Sequence, residues 1–390
     1  MIIFLFLPSL TQSNINIHFY GELRERLERH INPSFSNPAG KNQSDLYSRL
    51  RVGADIDFAS SFSAKIEYQN AHELFWSDAR NASTDNSDAS LAYLKYSVPT
   101  FTAIAGRQKV ELGQQRLIGP TEWLNLSRSF DAARAESGQW DLWGGKLGMA
   151  PTIPETAKLA VLDHTDKGYG TTSLIAKHDV GSVADIDIQT LDHLITLSAG
   201  KTTFDGEGAV QYGSNNGKDQ RAWAWHLRAT QELLPKTNFS LEVNAASGGG
   251  NASTSRTFDN LYPSNHDLYG LADLVGWKNM NDYAAKVENK SFNDLTLLAG
   301  GHIFTLRDPS DVWYSATGVN TYGGKTFVDP TGTSGTVLGD ELDFEAMYSL
   351  QKTQRFSAGV AFFEPGDFVK NVSHHANQLT FGYLQYQVRF

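Results

Sequence analysis

Apolar and polar side chains alternate along this chain with a period of two. "LYSRLRVGADIDF" sets Leu50, Val52, Ala54, Ile56 and Phe58 on one face and Arg49, Arg51, Asp55 and Asp57 on the other. "AKIEYQ" sets Ala64, Ile66 and Tyr68 against Lys65, Glu67 and Gln69. The same split recurs in "RAWAWHLRAT" (Trp223, Trp225 and Leu227 against His226, Arg228 and Thr230), in "NFSLEVNA" and in "DELDFEAMY", where Leu342, Phe344, Ala346 and Tyr348 oppose Glu341, Asp343 and Glu345. Successive side chains of a strand point to opposite faces, so each segment predicts an amphipathic β-strand. Clusters of Gly, Asn, Asp, Ser and Pro separate them, helical periodicity is nearly absent, and about 18 strands are expected, give or take two.

The last segment, "LTFGYLQYQVRF", alternates in the same way up to Phe390. A sandwich would pack the apolar faces together and expose rows of Lys and Glu. Here the polar faces carry Arg, Asp, Glu and Gln, and the apolar faces carry large aromatics beside Ala, Val and Leu. A polar interior inside an apolar exterior accounts for both, which predicts a transmembrane antiparallel β-barrel. Closure also removes the sheet edges that so many strands would otherwise expose. The last strand should then pair with the first, for which "IHFYGELRERLE" (Ile17 to Glu28) is the candidate, and Phe390 should join an aromatic girdle. Short turns such as Ala59–Ser63 and Leu234–Thr237 are expected at the periplasmic end, and longer loops such as Asp78–Asp88 outside the cell.

Composition narrows this picture. The 390 residues contain 15 Tyr, 22 Phe, 8 Trp and 34 Gly but no Cys, which excludes thiol catalysis and thiolate metal sites. No apolar run approaches the roughly 20 residues of a membrane-spanning helix. The net charge of −10 argues against a nucleic-acid partner. "MIIFLFLPSLTQS" (Met1 to Ser13) reads as a signal peptide shortened at its front, leaving residues 14–390 as a single outer-membrane barrel domain.

Two stretches break the alternation: Lys109 to Phe130 and Ser247 to Asp282. Both are long and rich in Gly and aromatics. Loops of this length are functional or disordered, and aromatic content argues against disorder; in a barrel they can fold inward and narrow the channel, the alternative being two ordinary extracellular loops.

These stretches also carry a family likeness. "GRQKVELGQQRLIGPTEWLNLSRSFDAARAE" (Gly106 to Glu136) and "FDNLYPSNHDLYGLADLVGWKNMND" (Phe258 to Asp282) resemble corresponding segments of alginate-export outer-membrane proteins. "GHIFTLRDPSDVWYSATG", "GDELDFEAMY" and "GVAFFEPGDF" resemble the last third of that family, in family order. The resemblance implies a monomeric barrel of about 18 strands that passes a polyanion through a narrow, arginine-lined lumen, with possible secretion partners in the periplasm.

A passive pore needs fixed charge at a constriction rather than a catalytic group. By parity, Arg24, Arg26, Arg49, Arg51, Arg107, Arg134 and Arg228 are expected to face the lumen, and Arg107 and Arg134 also fall on the family motif. Arg116 and Arg307 lie in or beside loop segments and could reach inward. Arg keeps its charge and offers a planar fork to carboxylates, although any of these could instead pair with a neighbouring Asp or Glu. No G-x-S-x-G or H-E-x-x-H occurs; His72, His164 and His193 have no partner set by spacing, and His374–His375 is too short for a metal site. Neither a cofactor nor a metal is expected. The function expected is a channel for anionic polysaccharide, such as an alginate-like polymer, or for other acidic solutes, in contact with outer-membrane lipid. The alternative is a general diffusion porin for small hydrophilic solutes.

Overall fold

The computed structural model describes residues 15–35, 42–74, 86–149, 156–180, 185–266, 268–318 and 326–390. The leader expected at Met1–Ser13, and most of the loop expected at Asp78–Asp88, lie outside the described residues.

The strands are β1 (Asn16–Ile31), β2 (Gln43–Ala59), β3 (Phe62–Leu74), β4 (Asn86–Val98), β5 (Phe101–Gln108), β6 (Ser129–Ser137), β7 (Trp140–Met149), β8 (Lys158–Asp166), β9 (Gly170–Val180), β10 (Asp185–Ala199), β11 (Thr202–Asn215), β12 (Lys218–Leu234), β13 (Thr237–Ala246), β14 (Thr254–Ser255), β15 (Met280–Asn289), β16 (Leu295–Leu306), β17 (Val337–Leu350), β18 (Gln354–Pro365) and β19 (Leu379–Arg389). Each wall strand pairs antiparallel with its neighbours in the sequence. The exception is the two-residue β14, which runs parallel to the start of β12 while β13 pairs directly with β15. β1 and β19 close the ring in register from Glu22↔Arg389 to Ile31↔Thr380. The wall is therefore a closed 18-stranded antiparallel barrel, as the alternation predicted. Among the described residues a single helix, α1 (Asp367–Ser373), lies between β18 and β19.

The two faces divide by residue chemistry. On β17, Leu342 and Phe344 are 56% and 49% exposed on the outside, while Glu341 is buried on the inside. Leu50 and Val52 of β2, Leu142 of β7 and Leu174 of β9 are likewise exposed outward. Burying such side chains in lipid is the hydrophobic contribution that a soluble sheet would obtain from a second layer. At the seam, the Phe390 amide donates to the Gly21 carbonyl (3.0 Å) and the Phe390 carbonyl accepts from the Gly21 amide (2.7 Å). The Phe390 ring lies over Gly21 so closely that a Cβ there would stand 2.4 Å from it. Only a residue without a side chain lets the ring lie down at that point.

One barrel end has short turns, including 60–61, 99–100 and 235–236, and the other has the long connections. Outer-membrane barrels place short turns in the periplasm and long loops outside the cell. The largest apolar core lies within the lumen. Leu117, Ile118, Phe258, Leu274, Val275, Trp277, Trp313 and Phe327, all from the long connections, are buried there in one cluster with wall residues. The two inward loops support each other through backbone bonds, Gly119 to Tyr262 (2.9 Å), Tyr262 to Leu117 (2.8 Å) and Ser264 to Gln115 (2.9 Å). Their backbone groups thus find partners away from water.

A basic vestibule beneath two inward loops

β1 and β2 pair Glu22↔Arg51 and Arg24↔Arg49, which gathers Arg24, Arg26, Arg49 and Arg51 on one patch of the inner wall. Four like charges so close repel, and the first inward loop offsets this with carbonyl oxygens. Thr121 adopts a left-handed conformation (φ 52°), and the turn it starts is closed by the Leu124 amide on the Thr121 carbonyl (3.1 Å). Arg24 donates to the carbonyls of Glu122 (2.8 Å), Trp123 (3.0 Å) and Leu124 (3.0 Å). Arg49 donates to those of Glu122 (3.0 Å) and Leu124 (3.1 Å). Arg26 lies over the Trp123 ring at 3.8 Å, and that ring stacks on His266 of the second loop at 3.6 Å. Hydrogen bonds from ionised donors are the stronger kind, so the wall arginines hold the tip of the loop across the lumen.

The Glu122 carboxylate sits among cations: Lys109 at 2.6 Å, Arg51 at 2.7 Å and Arg49 at 3.6 Å. Burial acts to raise its pKa, but Arg51, Lys109 and Arg49 outweigh that and hold it well below the usual carboxylate range. Below the loop a cavity of about 600 Å³ opens toward the end where β19 finishes. Arg24, Arg49, Arg51, Lys109, Arg355 and Arg389 line it, against Glu22, Glu67 and Glu122. Arg389 reaches Glu22 at 3.2 Å, whereas no ion pair holds Arg355 among the described residues. The cavity is therefore a vestibule with an excess of positive charge inside an acidic protein. Lys109, Glu122, Arg355 and Arg389 were not among the residues singled out by sequence. The polar parity of the last strand is the signal that could have found Arg389.

The other expected arginines are dispersed. Arg116 does reach inward. It is fully buried and bonds the Tyr269 hydroxyl (2.7 Å) and Glu242 (2.9 Å), with Glu207 at 3.5 Å, which anchors the first loop on β11 and β13. Arg134 faces the lumen but is covered by Asp141 (2.6 Å) and Glu136 (3.0 Å), and Arg228 pairs with Asp205 (2.9 Å). Arg107 differs from the parity reading, and Arg307, which could have reached inward from its loop, does not. Arg107 is in register with Ala92 and Asp131, on the outward face that carries Phe101 and Ala105, and pairs there with Asp131 (2.8 Å) and Asp88 (2.9 Å). Arg307 is exposed and sits over the outward Trp223 ring at 5.3 Å. Both lie near the loop-bearing rim, where water is available on either side of the wall and charge no longer reports which face a side chain takes.

The comparisons with known proteins agree with this architecture. The family model described as "Alginate export" matches residues 16–167 and 163–382. No curated protein sequence matches the chain. Among solved structures, Pseudomonas aeruginosa OpdQ is similar at TM-score 0.68 and 13% identity, over 96% of this chain and 99% of that one. The outer membrane protein opdK from Pseudomonas aeruginosa is similar at TM-score 0.65 and 9% identity, covering 96% and 98%. A BenF-like porin from Pseudomonas fluorescens Pf-5 follows at TM-score 0.63 and 11% identity, with the same coverage. At these identities the likeness carries the fold alone, that of an outer-membrane porin barrel. With the family model covering nearly every strand of the wall, the chain belongs to the alginate-export family and is a porin-like channel of the Gram-negative outer membrane.

Proposed function

We propose that the channel passes acidic solutes, with an anionic polysaccharide of the uronate type as the substrate class, through the basic vestibule formed by β1, β2, β18 and β19. The observation that carries this reading is the cavity lined by six cations and three carboxylates, with Arg355 free of any ion pair among the described residues. Carboxylates of a polymer would meet Arg355 and Arg389 first at the periplasmic mouth, then Arg51 and Lys109 beneath the loop. Planar guanidinium forks suit carboxylates, and fixed charge at the narrowest stretch sets the selectivity of a passive pore. Arg134 contributes less, because its charge is already met by Asp141 and Glu136. The family's association with alginate export gives the uronate class its preference over other anions.

The test is the reversal potential in a KCl gradient across a planar bilayer. The unmodified channel should prefer chloride. Replacing Arg355 and Arg389 together by Glu should lower the chloride-to-potassium permeability ratio about tenfold, equivalent to about 1.4 kcal/mol in partitioning. A native channel that prefers cations, or a double variant with unchanged selectivity, would leave a general diffusion porin as the better account.

A further inference from the structure

The outer face carries a second charged feature, unrelated to the lumen. Strand register aligns Arg107↔Asp131, Asp131↔Lys146, Lys146↔Lys158, Lys158↔His178 and His178↔Asp187 in one continuous cross-strand row from β5 to β10. Directly opposed residues share a face, and this face also carries the exposed Leu142 two positions beyond Gly144 and the exposed Leu174. The row is therefore on the outside of the wall, at the ends of β7 and β8 that meet the long connections.

Lys146 and Lys158 are directly opposite each other and both exposed. Like charges placed opposite are unfavourable. The carboxylates of the row do not relieve them. Asp131 and Asp88 are held by Arg107 at 2.8 and 2.9 Å, and Asp187 lies at the far end beside His178 at 4.0 Å. No ion pair to either lysine is formed among the described residues. Immediately toward the periplasm the register continues with Ala133↔Gly144↔Ala160↔Ala176, a low surface, and then with Leu142, Leu162 and Leu174. Lys146 lies three positions from Met149, where β7 ends at the loop-bearing rim, and Lys158 is the first residue of β8. From there the long lysine stems reach up to the headgroup layer of the outer leaflet.

We propose that Lys146 and Lys158 form a docking site on the outer wall for the phosphorylated glycolipid of the outer leaflet, with one phosphate bridging the two ammonium groups and the acyl chains lying over the Ala133–Gly144–Ala160–Ala176 surface. A bridging phosphate turns the unfavourable lysine pair into a favourable three-centre arrangement. The sugar-phosphate headgroup fits the depth, the charge and the low surface beneath. The site does not depend on what passes through the channel.

The experiment is native mass spectrometry of the full-length barrel in nanodiscs containing bisphosphorylated lipid A, dephosphorylated lipid A or phosphatidylglycerol. The unmodified protein should retain bisphosphorylated lipid A and release the dephosphorylated form. The double variant Lys146→Gln, Lys158→Gln should retain it about thirtyfold less, in line with the contribution of two surface cations. Lys146→Arg with Lys158→Arg should retain it normally. Heat-modifiable migration on gels would confirm that each variant is folded. Equal retention by the Gln variant, or equal retention of phosphatidylglycerol or of the dephosphorylated lipid, would overturn the assignment.

Discussion

Replacing Glu122 by Gln removes one negative charge from the lining of the vestibule while leaving the loop in place. The reason lies in how the loop is held. Arg24 and Arg49 donate to the backbone carbonyls of residues 122–124, and those bonds remain when the carboxylate, which Arg49 meets only at 3.6 Å, is replaced. In the variant Arg51, Lys109 and Arg49 lose their shared carboxylate, and Glu22 and Glu67 are the acidic groups left on the cavity wall. The Glu122 side chain is 42% exposed to the cavity, so the relevant dielectric is close to that of water. A unit charge at about 4 Å is then worth about 1 kcal/mol, a factor of about five in anion partitioning. The chloride-to-potassium permeability ratio from reversal potentials should rise about fivefold, with single-channel conductance changed by less than about twofold. Because the folded-state pKa of Glu122 is depressed, its contribution to stability is present above the ordinary Glu value of about 4.3 and is lost as pH falls through the lower folded value. Wild-type selectivity should therefore show no Glu122-dependent step between about pH 5 and 8. An unchanged permeability ratio, or a shift toward cations, would refute the view that this carboxylate tempers a basic constriction. A large rise in conductance would refute the view that the loop stays in place without the Glu122 carboxylate.

Other consequences can be measured independently. Arg116→Met leaves the buried Glu207 without its cation and Glu242 with only Arg228 at 3.9 Å and His226 beside it, and should destabilise the docked loop by about 3–5 kcal/mol, read as new protease cleavage within residues 109–128 while the barrel still migrates as folded; an equally resistant loop would count against Arg116 as its anchor. Gly21→Val would drive a side chain into the Phe390 ring and should reduce outer-membrane assembly in cells, whereas normal assembly would show that the seam tolerates it. Nitroxide labels at Val52, Leu342 and Phe344 should report lipid and those at Arg51 and Glu345 water, and the same environment at both sets would contradict the assignment of faces.

The alternation in "LYSRLRVGADIDF" and "DELDFEAMY" was enough to assign strands, faces and closure. A period of two is a local property, and a polar face opposed to an aromatic one has few stable solutions other than a barrel in lipid. The same local information marked Lys109–Phe130 and Ser247–Asp282 as loops of unusual kind. It also located Arg49 and Arg51, because near mid-wall the inside is the only wet side. Parity misplaces Arg107, and the reason is the rim, at which a charged side chain is solvated whichever way it points, as Arg307 also shows. Only tertiary structure could decide which charges remain open to a solute. Arg116 meets Glu242 across 126 positions of sequence and Arg24 meets the Trp123 carbonyl across 99, so their neutralisation depends on how the loops return into the lumen. The facing of Lys146 and Lys158 likewise exists only in the register of β7 on β8, which is set by pairing along the whole wall rather than by either strand alone.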